Sequence, residues 1–339
     1  MDKWGKVVLM LALALSILTS STTLAKTVYL NMGSTSSASP IYVWCVATAN
    51  AINKEYDDIK VTVVESGAAL DNLRRLREGE FDFALAVDLP SAMQMYEGIG
   101  AFQGQPWKEV RWLLVRNVIA DRVYVLKELG ITNFAELEGK PFCPGLPGSS
   151  SANYMMRMSE ALGLKMNFRP ASLADAVELL KQKKIVALQQ SSPLDSMSAM
   201  LLEVHLTTPL TVVGFTKEQV EKIRKVYPYL NFIETPRGGI KQLPDVGPFY
   251  EEAPLVGGVA TPKLSQEVGY KIIKAYVKHF EDIAKAWPAV RGWDPVRDFF
   301  KYAKPGGAVP AHAGLVQYAK EIGIDVPDWL IPPEYKPAK

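Results

Sequence analysis

The chain has 339 residues, a formal net charge of +2, and 22% charged against 48% hydrophobic residues. So balanced a composition excludes a general electrostatic attraction to nucleic acid or to an anionic membrane surface. The length is enough for two domains of ordinary size.

The first 25 residues read as a secretory signal peptide (1–25). Lys3 and Lys6 make a basic start, Val7 to Leu18 an apolar run, and Thr23-Leu24-Ala25 a small-residue cleavage site. The run is too short to span a bilayer, which needs about 20 apolar residues. No cysteine follows it closely enough for lipid attachment, and no later stretch is apolar enough for a transmembrane helix. The expectation is a cleaved leader and an exported, soluble chain, periplasmic in a bacterium.

Thr27 to Leu30 then predicts a short strand, followed by Gly33-Ser34-Thr35-Ser36 opening a helix that contains Cys45. Leu70 to Pro90 reads as helix, charged turn, apolar strand and polar exit. Leu70, Leu73 and Leu76 share one helix face, and the strand runs Phe83 to Val87 before Asp88. Arg111 to Leu126 (RWLLVRNVIADRVYVL) is β-rich and interrupted by polar residues, as one or two strands crossing between lobes would be. Lys140 to Cys143 predicts another strand, and Gly148-Ser149-Ser150-Ser151 opens the next helix. Leu173 to Pro193 repeats the plan of 70–90, with Leu173, Ala176, Val177 and Leu180 on the helix face, strand Ile185 to Leu188 and a Gln189-Gln190-Ser191-Ser192 exit. Both strands are apolar on both faces, as in a parallel sheet covered by helices.

Pro236 to Phe249 is rich in glycine and proline and reads as a surface loop bordering the cleft. Tyr250 to Thr261 is the expected return crossing, Ser265 to Ala286 an amphipathic helix, and Pro327, Pro332, Pro333 and Pro337 mark an irregular tail. The fold class is α/β with a discontinuous lobe I (26–120 and 245–339) and a lobe II (121–244). A disulfide between Cys45 and Cys143 would lock two bodies expected to move, so two buried thiols are expected instead.

The two Gly-Ser loops carry the chemistry. Each leaves backbone N–H groups and hydroxyls at the positive end of a helix, a site for an anion. Ligands in open α/β sheets bind beyond the carboxyl ends of strands, which also nominates Glu65-Ser66-Gly67, Asp88 and Gln189 to Ser192. At about 1.5–3 kcal/mol per charge-assisted hydrogen bond, several such contacts would hold a small dicarboxylate near micromolar affinity without an arginine. Catalytic motifs are lacking. His205, His279 and His312 are the three histidines, and none sits in a Gly-x-Ser-x-Gly or His-Glu-x-x-His context. His279 reads as solvated or packed and His312 as a helix cap or link. Asp88 with Glu65 is the one carboxylate pair to offer for acid–base work, and no cofactor or metal is expected.

Strand–GST–helix, VTVVESGAALDNLRRLREGEFDFALAVDLPSAMQMYEGIGAF, the interlobe strands, LPGSSS and VPAHAG occur here in that order. Together they resemble the TAXI receptors, the extracytoplasmic solute-binding subunits of one branch of the TRAP transporters, over nearly all of the mature chain. The resemblance implies a type II periplasmic-binding-protein fold: two α/β lobes joined by hinge strands around a ligand cleft. It implies capture of a small organic anion (a dicarboxylate, 2-oxo acid or amino acid) and delivery to a membrane permease driven by an ion gradient. It places ligand contacts at Ser34, Thr35, Ser36, Ser66, Gly67, Asp88, Gly148, Ser149, Ser150 and Gln190. The expected form is a monomer that binds no nucleic acid.

The chain departs from the family pattern where Ser36 and Ser37 stand for glycines, where Val43 and Trp44 stand for small residues, and where Gly148-Ser149-Ser150-Ser151 replaces a Gly-Ser-Gly-Thr run. Side chains in place of glycines reduce the room for backbone approach, so the ligand is expected to differ from the best-known family ones. Trp44 or Tyr42 either stacks on that ligand, or Trp44 faces the core. The alternatives are the receptor of an ABC importer, a sensor-associated binding protein, and a periplasmic enzyme using Asp88 and Glu65.

Overall fold

The structure is a computed structural model that describes residues 27–337 except 38 and 148; the leader expected at 1–25 and Gly148 lie outside the described residues. The first half runs β1 (Val28–Gly33), α1 (Pro40–Glu55), β2 (Ile59–Val64), α2 (Ala69–Glu78), β3 (Phe83–Asp88), α3 (Leu89–Glu97) and β4 (Arg111–Val118). Helix α1 begins at the cap Ser39, whose hydroxyl accepts from the Ile41 N–H. The Gly33-Ser34-Thr35-Ser36 loop therefore precedes the helix and does not open it. Helix α2 buries Leu73 and Leu76 and ends on Gly79 in the left-handed conformation.

The chain then passes through Ile119 into β5 (Ala120–Leu126) and continues with β6 (Pro141–Cys143), α4 (Ser150–Leu162), β7 (Asn167–Phe168), α5 (Leu173–Lys181), β8 (Ala187–Ser192), α6 (Ala199–Thr207), β9 (Leu210–Val213), α7 (Lys217–Val226), β10 (Phe232–Thr235) and β11 (Phe249–Glu252). Strand β8 extends through the polar residues Gln189 to Ser192, because each of its residues has a partner on antiparallel β5, from Ala120↔Ser192 to Val125↔Ala187. After Ala253-Pro254 come β12 (Leu255–Ala260), α8 (Gln266–Lys278), α9 (Phe280–Ala286), α10 (Arg297–Tyr302) and α11 (Ala313–Glu321). The amphipathic segment expected as one helix is two, broken at His279, whose ring lies 2.9 Å from the Glu55 carboxylate.

Two sheets result. The first has the order β2-β1-β3-β12-β4, and the second β10-β11-β5-β8-β6-β7 with β9 also on β5. Strands β4 and β5 are one path that leaves the first sheet and enters the second, and β11 and β12 return along the same route. Because β11 pairs with β10 and β5, the return crossing lies at Ala253-Pro254, downstream of the break expected between 244 and 245.

Trp44 is fully buried and its indole N–H donates to the Tyr276 hydroxyl at 2.9 Å, so it faces the core of the first half. Cys45 and Cys143 are buried free thiols, and burial pushes the Cys45 thiol up to about 12. His312 caps α11: its Nδ1 accepts from the Gly314 N–H while Nε2 donates to the Leu264 carbonyl at 2.8 Å. In the 236–249 loop, Ile240, Leu243, Val246 and Phe249 pack on the second half's apolar core.

Candidate functional site

The crossing strands bring the carboxyl ends of both sheets to one place. There a cavity of about 180 Å³ is walled by Thr35, Gly67 to Leu70, Ala86 and Asp88 from the first half and by Asp121, Ser149 to Ser151 and Ser191 from the second. Arg116, Ile119, Pro254 and Val256 of the crossing strands form its back. Two helix N-termini meet there. Ser149 caps α4 by accepting from the Ala152 N–H, whereas no side chain caps α2, although Asp71 of its first turn accepts from the Gly67 N–H at 3.0 Å. Both ends present positive partial charge.

The backbone around the cavity is strained. Ala68 (φ 68°) and Ala86 (φ 57°) adopt a region that disfavours a Cβ, and both line the cavity. Ala86 is the extra residue of a β-bulge: Gly257 pairs with Val87 and Gly258 with Leu85, leaving Ala86 unpaired.

The expected ligand residues divide into three groups. Thr35, Gly67, Asp88, Ser149 and Ser150 line the cavity. Ser34 is buried with its hydroxyl donating to the Val64 carbonyl at 2.7 Å, and Ser66 donates to the Ser34 carbonyl at 2.7 Å. These two fasten the loop, which Asn72 also clamps by donating to the Ser34 and Leu85 carbonyls. Ser36 is exposed and lies outside the cavity lining, as does Glu65. Gln190 lines a neighbouring cavity described below. The 236–249 loop, expected to border the cleft, lines neither.

Asp88 is heavily engaged. Its carboxylate caps α3 by accepting from the Ser91 N–H (2.8 Å) and Ser91 hydroxyl (3.0 Å), and it accepts a further bond from the Tyr154 hydroxyl. Tyr154 belongs to α4, so this buried contact joins the two halves. Asp88 is thus a cap and a bridge, and Glu65 does not converge with it.

The residue that sequence reasoning passed over is Arg116. It is 2% exposed, and its guanidinium lies between the faces of Trp44 (5.5 Å) and Trp287 (4.9 Å). Nε donates to the Asn117 side chain at 2.9 Å, but Nη1 is buried without a hydrogen-bond partner, and among the described residues no carboxylate pairs with the guanidinium. Burial lowers it to about 10, which leaves it a cation at neutral pH. The contacts expected for an anion included no arginine, and Arg116 lines the cavity. The available signal was a charged residue in a β-rich crossing segment, a signal it shares with Arg111 and Arg122.

Asp121 of the cavity wall belongs to a buried carboxylate pair. Asp121 and Glu252 face each other on β5 and β11, 2% and 0% exposed. The Ser191 hydroxyl donates to Asp121 at 2.5 Å, and a protonated Glu252 is placed to donate to Asp121 as well. Burial first, offset in part by bonds from Ser191 and Ser151, lifts Asp121 to about 6; burial and then the neighbouring Asp121 and Asp88 push Glu252 well up. A carboxyl whose native value exceeds its unfolded value of about 3.9 holds a proton that the unfolded chain releases, so stability falls as pH rises from about 4 through about 6. Asp121→Asn is therefore expected to be more stable than the parent at pH near 8. The gap should narrow as pH falls below about 6 and close near about 4, as read from melting curves across the range. A constant gap would show that Asp121 ionises alike in the folded and unfolded chain.

The model of the NMT1-like family matches residues 32–323. No curated protein matches the chain. Among solved structures, a TctC solute binding protein from Polaromonas is 15% identical with a TM-score of 0.52, covering 79% of this chain and 89% of that one. The alkanesulfonate-binding protein SsuA from Xanthomonas axonopodis pv. citri, bound to MOPS, is 14% identical with a TM-score of 0.43, covering 88% and 92%. The probable amino-acid ABC transporter extracellular-binding protein ytmK from Bacillus subtilis is 13% identical with a TM-score of 0.47, covering 79% and 98%. At such identities the likeness speaks for the fold, and the fold is the one expected: two α/β lobes around a cleft, as in type II periplasmic binding proteins. With a family model spanning most of its length, the chain belongs to the NMT1-like family.

Proposed function

We propose that the protein is an extracytoplasmic solute receptor that captures a small organic anion in the interlobe cavity and delivers it to an ion-gradient-driven permease of the TRAP type. One observation carries the anion: a fully buried arginine at the cavity wall with no carboxylate of its own. A buried charge without a partner is costly, and a ligand carboxylate is the group that would offset it. The first turn of α2 and the Ser149–Ser151 turn of α4 add N–H and hydroxyl donors to the same space. About 180 Å³ is below the roughly 300–1,000 Å³ of sites for drug-sized molecules, which favours a metabolite head group.

Asp121, with Glu252 behind it, argues against a second ligand carboxylate on that wall, so a 2-oxo acid or an amino acid fits better than a dicarboxylate. The TAXI resemblance supports the transporter class, and the basic-apolar start of the chain supports export to the periplasm. The enzyme alternative loses its one carboxylate pair, because Glu65 is exposed and Asp88 caps a helix.

A thermal-shift screen over organic acids and amino acids tests the reading. A true ligand at 100 times its Kd adds about 2.7 kcal/mol to stability. Absence of any shift across both classes would overturn the proposal. For a compound that does shift, Ser150→Ala is expected to weaken binding by about 1.5–3 kcal/mol, roughly ten- to a hundredfold in Kd by calorimetry. An unchanged Kd would remove Ser150 from the contact set.

A further inference from the structure

A second cavity, of about 670 Å³, adjoins the first and shares Ile41, Arg116, Ile119 and Ser191 with it. It is the larger of the two and, like the first, mostly apolar. Val118 and Ile119 of the crossing strand, Leu194 after β8, and Trp287, Ala289 and Trp293 after α9 make most of its wall apolar. Two further charged residues line it, Asp195 and Arg291. Both are about half exposed or more and already form ion pairs, with Lys241 and Glu281. The one charge it holds without a carboxylate partner is Arg116, at the junction of the two spaces. Trp287 covers one side of that guanidinium at 4.9 Å, and Trp293 is braced by Tyr302 at a ring separation of 6.0 Å.

The geometry points to a specific substrate class: a monocarboxylate bearing an aryl group, its acid on Arg116 and its ring in the second cavity against Trp287 and Leu194. This rests on the anion-receptor reading and extends it. An unpartnered buried guanidinium fixes where the acid binds, and the large apolar chamber opening from that point fixes where the remainder of the ligand goes. A small polar acid would leave that chamber filled with water against two indoles and a leucine. An aryl group removes this surface from water and meets aromatic edges and faces at contact distance.

The test titrates the full chain with propionate, 3-phenylpropionate and 3-phenylpropanol, following melting temperature and tryptophan fluorescence. The expected result is that 3-phenylpropionate binds at least about tenfold tighter than propionate, since even one methylene in an apolar pocket gives about 10- to 200-fold. The alcohol, which lacks the acid, should not bind. Leu194→Asn, which leaves the tryptophan sandwich intact and adds no charge beside Arg116, should erase the gain from the ring and keep propionate binding; Trp287→Ala should erase the gain as well. If propionate binds and Arg116→Met abolishes it, but the ring adds nothing or its gain survives Leu194→Asn, this inference fails and the receptor reading stands. If none of the three probes binds while other organic acids stabilise the protein, this inference alone fails. If no carboxylate of any kind binds, both fail.

Discussion

Replacing Arg116 with methionine is expected to weaken organic-acid binding by about 2–5 kcal/mol, roughly 30- to 4,000-fold, while leaving the unliganded fold at least as stable. The contrast with Arg122 gives the reason. Both arginines are buried on the same crossing path, at 2% and 0% exposure. Arg122 donates from Nε and Nη2 to Glu251 and from Nη1 and Nη2 to the carbonyls of Pro193, Leu194 and Ser196, so all five of its N–H groups are used. Arg116 has Asn117 and two indole faces, with Nη1 unpaired. A structural arginine is saturated; one held in readiness for a ligand is not. Methionine keeps an unbranched stem and a polarizable sulfur between Trp44 and Trp287 while deleting the uncompensated charge, so the desolvation cost is relieved along with the ligand contact. Calorimetric titration and apo melting curves of both proteins check the two halves of this result. A loss of apo stability typical of a core deletion, about 2–5 kcal/mol, would make Arg116 structural and sink the assignment.

Much of the frame was legible in the sequence because it depends on local pattern. The helices at 69–78 and 173–181 follow from leucine and valine spacing, and the β-rich segments at 111–126 and 250–261 hold strands that pair in one sheet and then in the other. What was not legible depends on distant partners. Arg116 and Arg122 look alike in RWLLVRNVIADRVYVL; what separates them is Glu251, 129 positions from Arg122. Ser34, Ser36 and Ser39 are equally good caps by composition, and the choice of Ser39 follows from Ser34 being drawn to Val64 on the neighbouring strand. That shift took the first loop off its expected helix terminus, so that only Thr35 of its hydroxyl residues lines the cavity, together with the first turn of α2. The break at His279 was hidden too, since the apolar period runs on to Phe280 and Ile283 while the contact with Glu55 comes from α1.

Glu251→Leu is expected to cost about 3–5 kcal/mol of unfolding free energy, because it breaks a buried ion pair from one side only. Glu251 is 2% exposed and accepts two parallel bonds from Arg122, at 2.8 and 2.9 Å, as well as one from the Thr235 hydroxyl. Removing it strands the Arg122 charge where water does not reach, which is worse than never having buried it. Arg122→Leu should cost at least as much, because it strands Glu251 and also frees the carbonyls of Pro193, Leu194 and Ser196. The double variant leaves no buried charge, so its cost should fall well short of the sum of the singles, a coupling of several kcal/mol where independent sites would add within about 0.5. Urea unfolding of the four proteins reads this directly. The pair also has a functional consequence. The segment it clasps, 193–196, carries Leu194 and Asp195 of the second cavity wall, and Glu251 sits next to Glu252 on the return crossing. Arg122→Leu should therefore loosen ligand binding beyond what its stability loss explains, whereas strict additivity of the two singles would reduce the pair to an incidental contact.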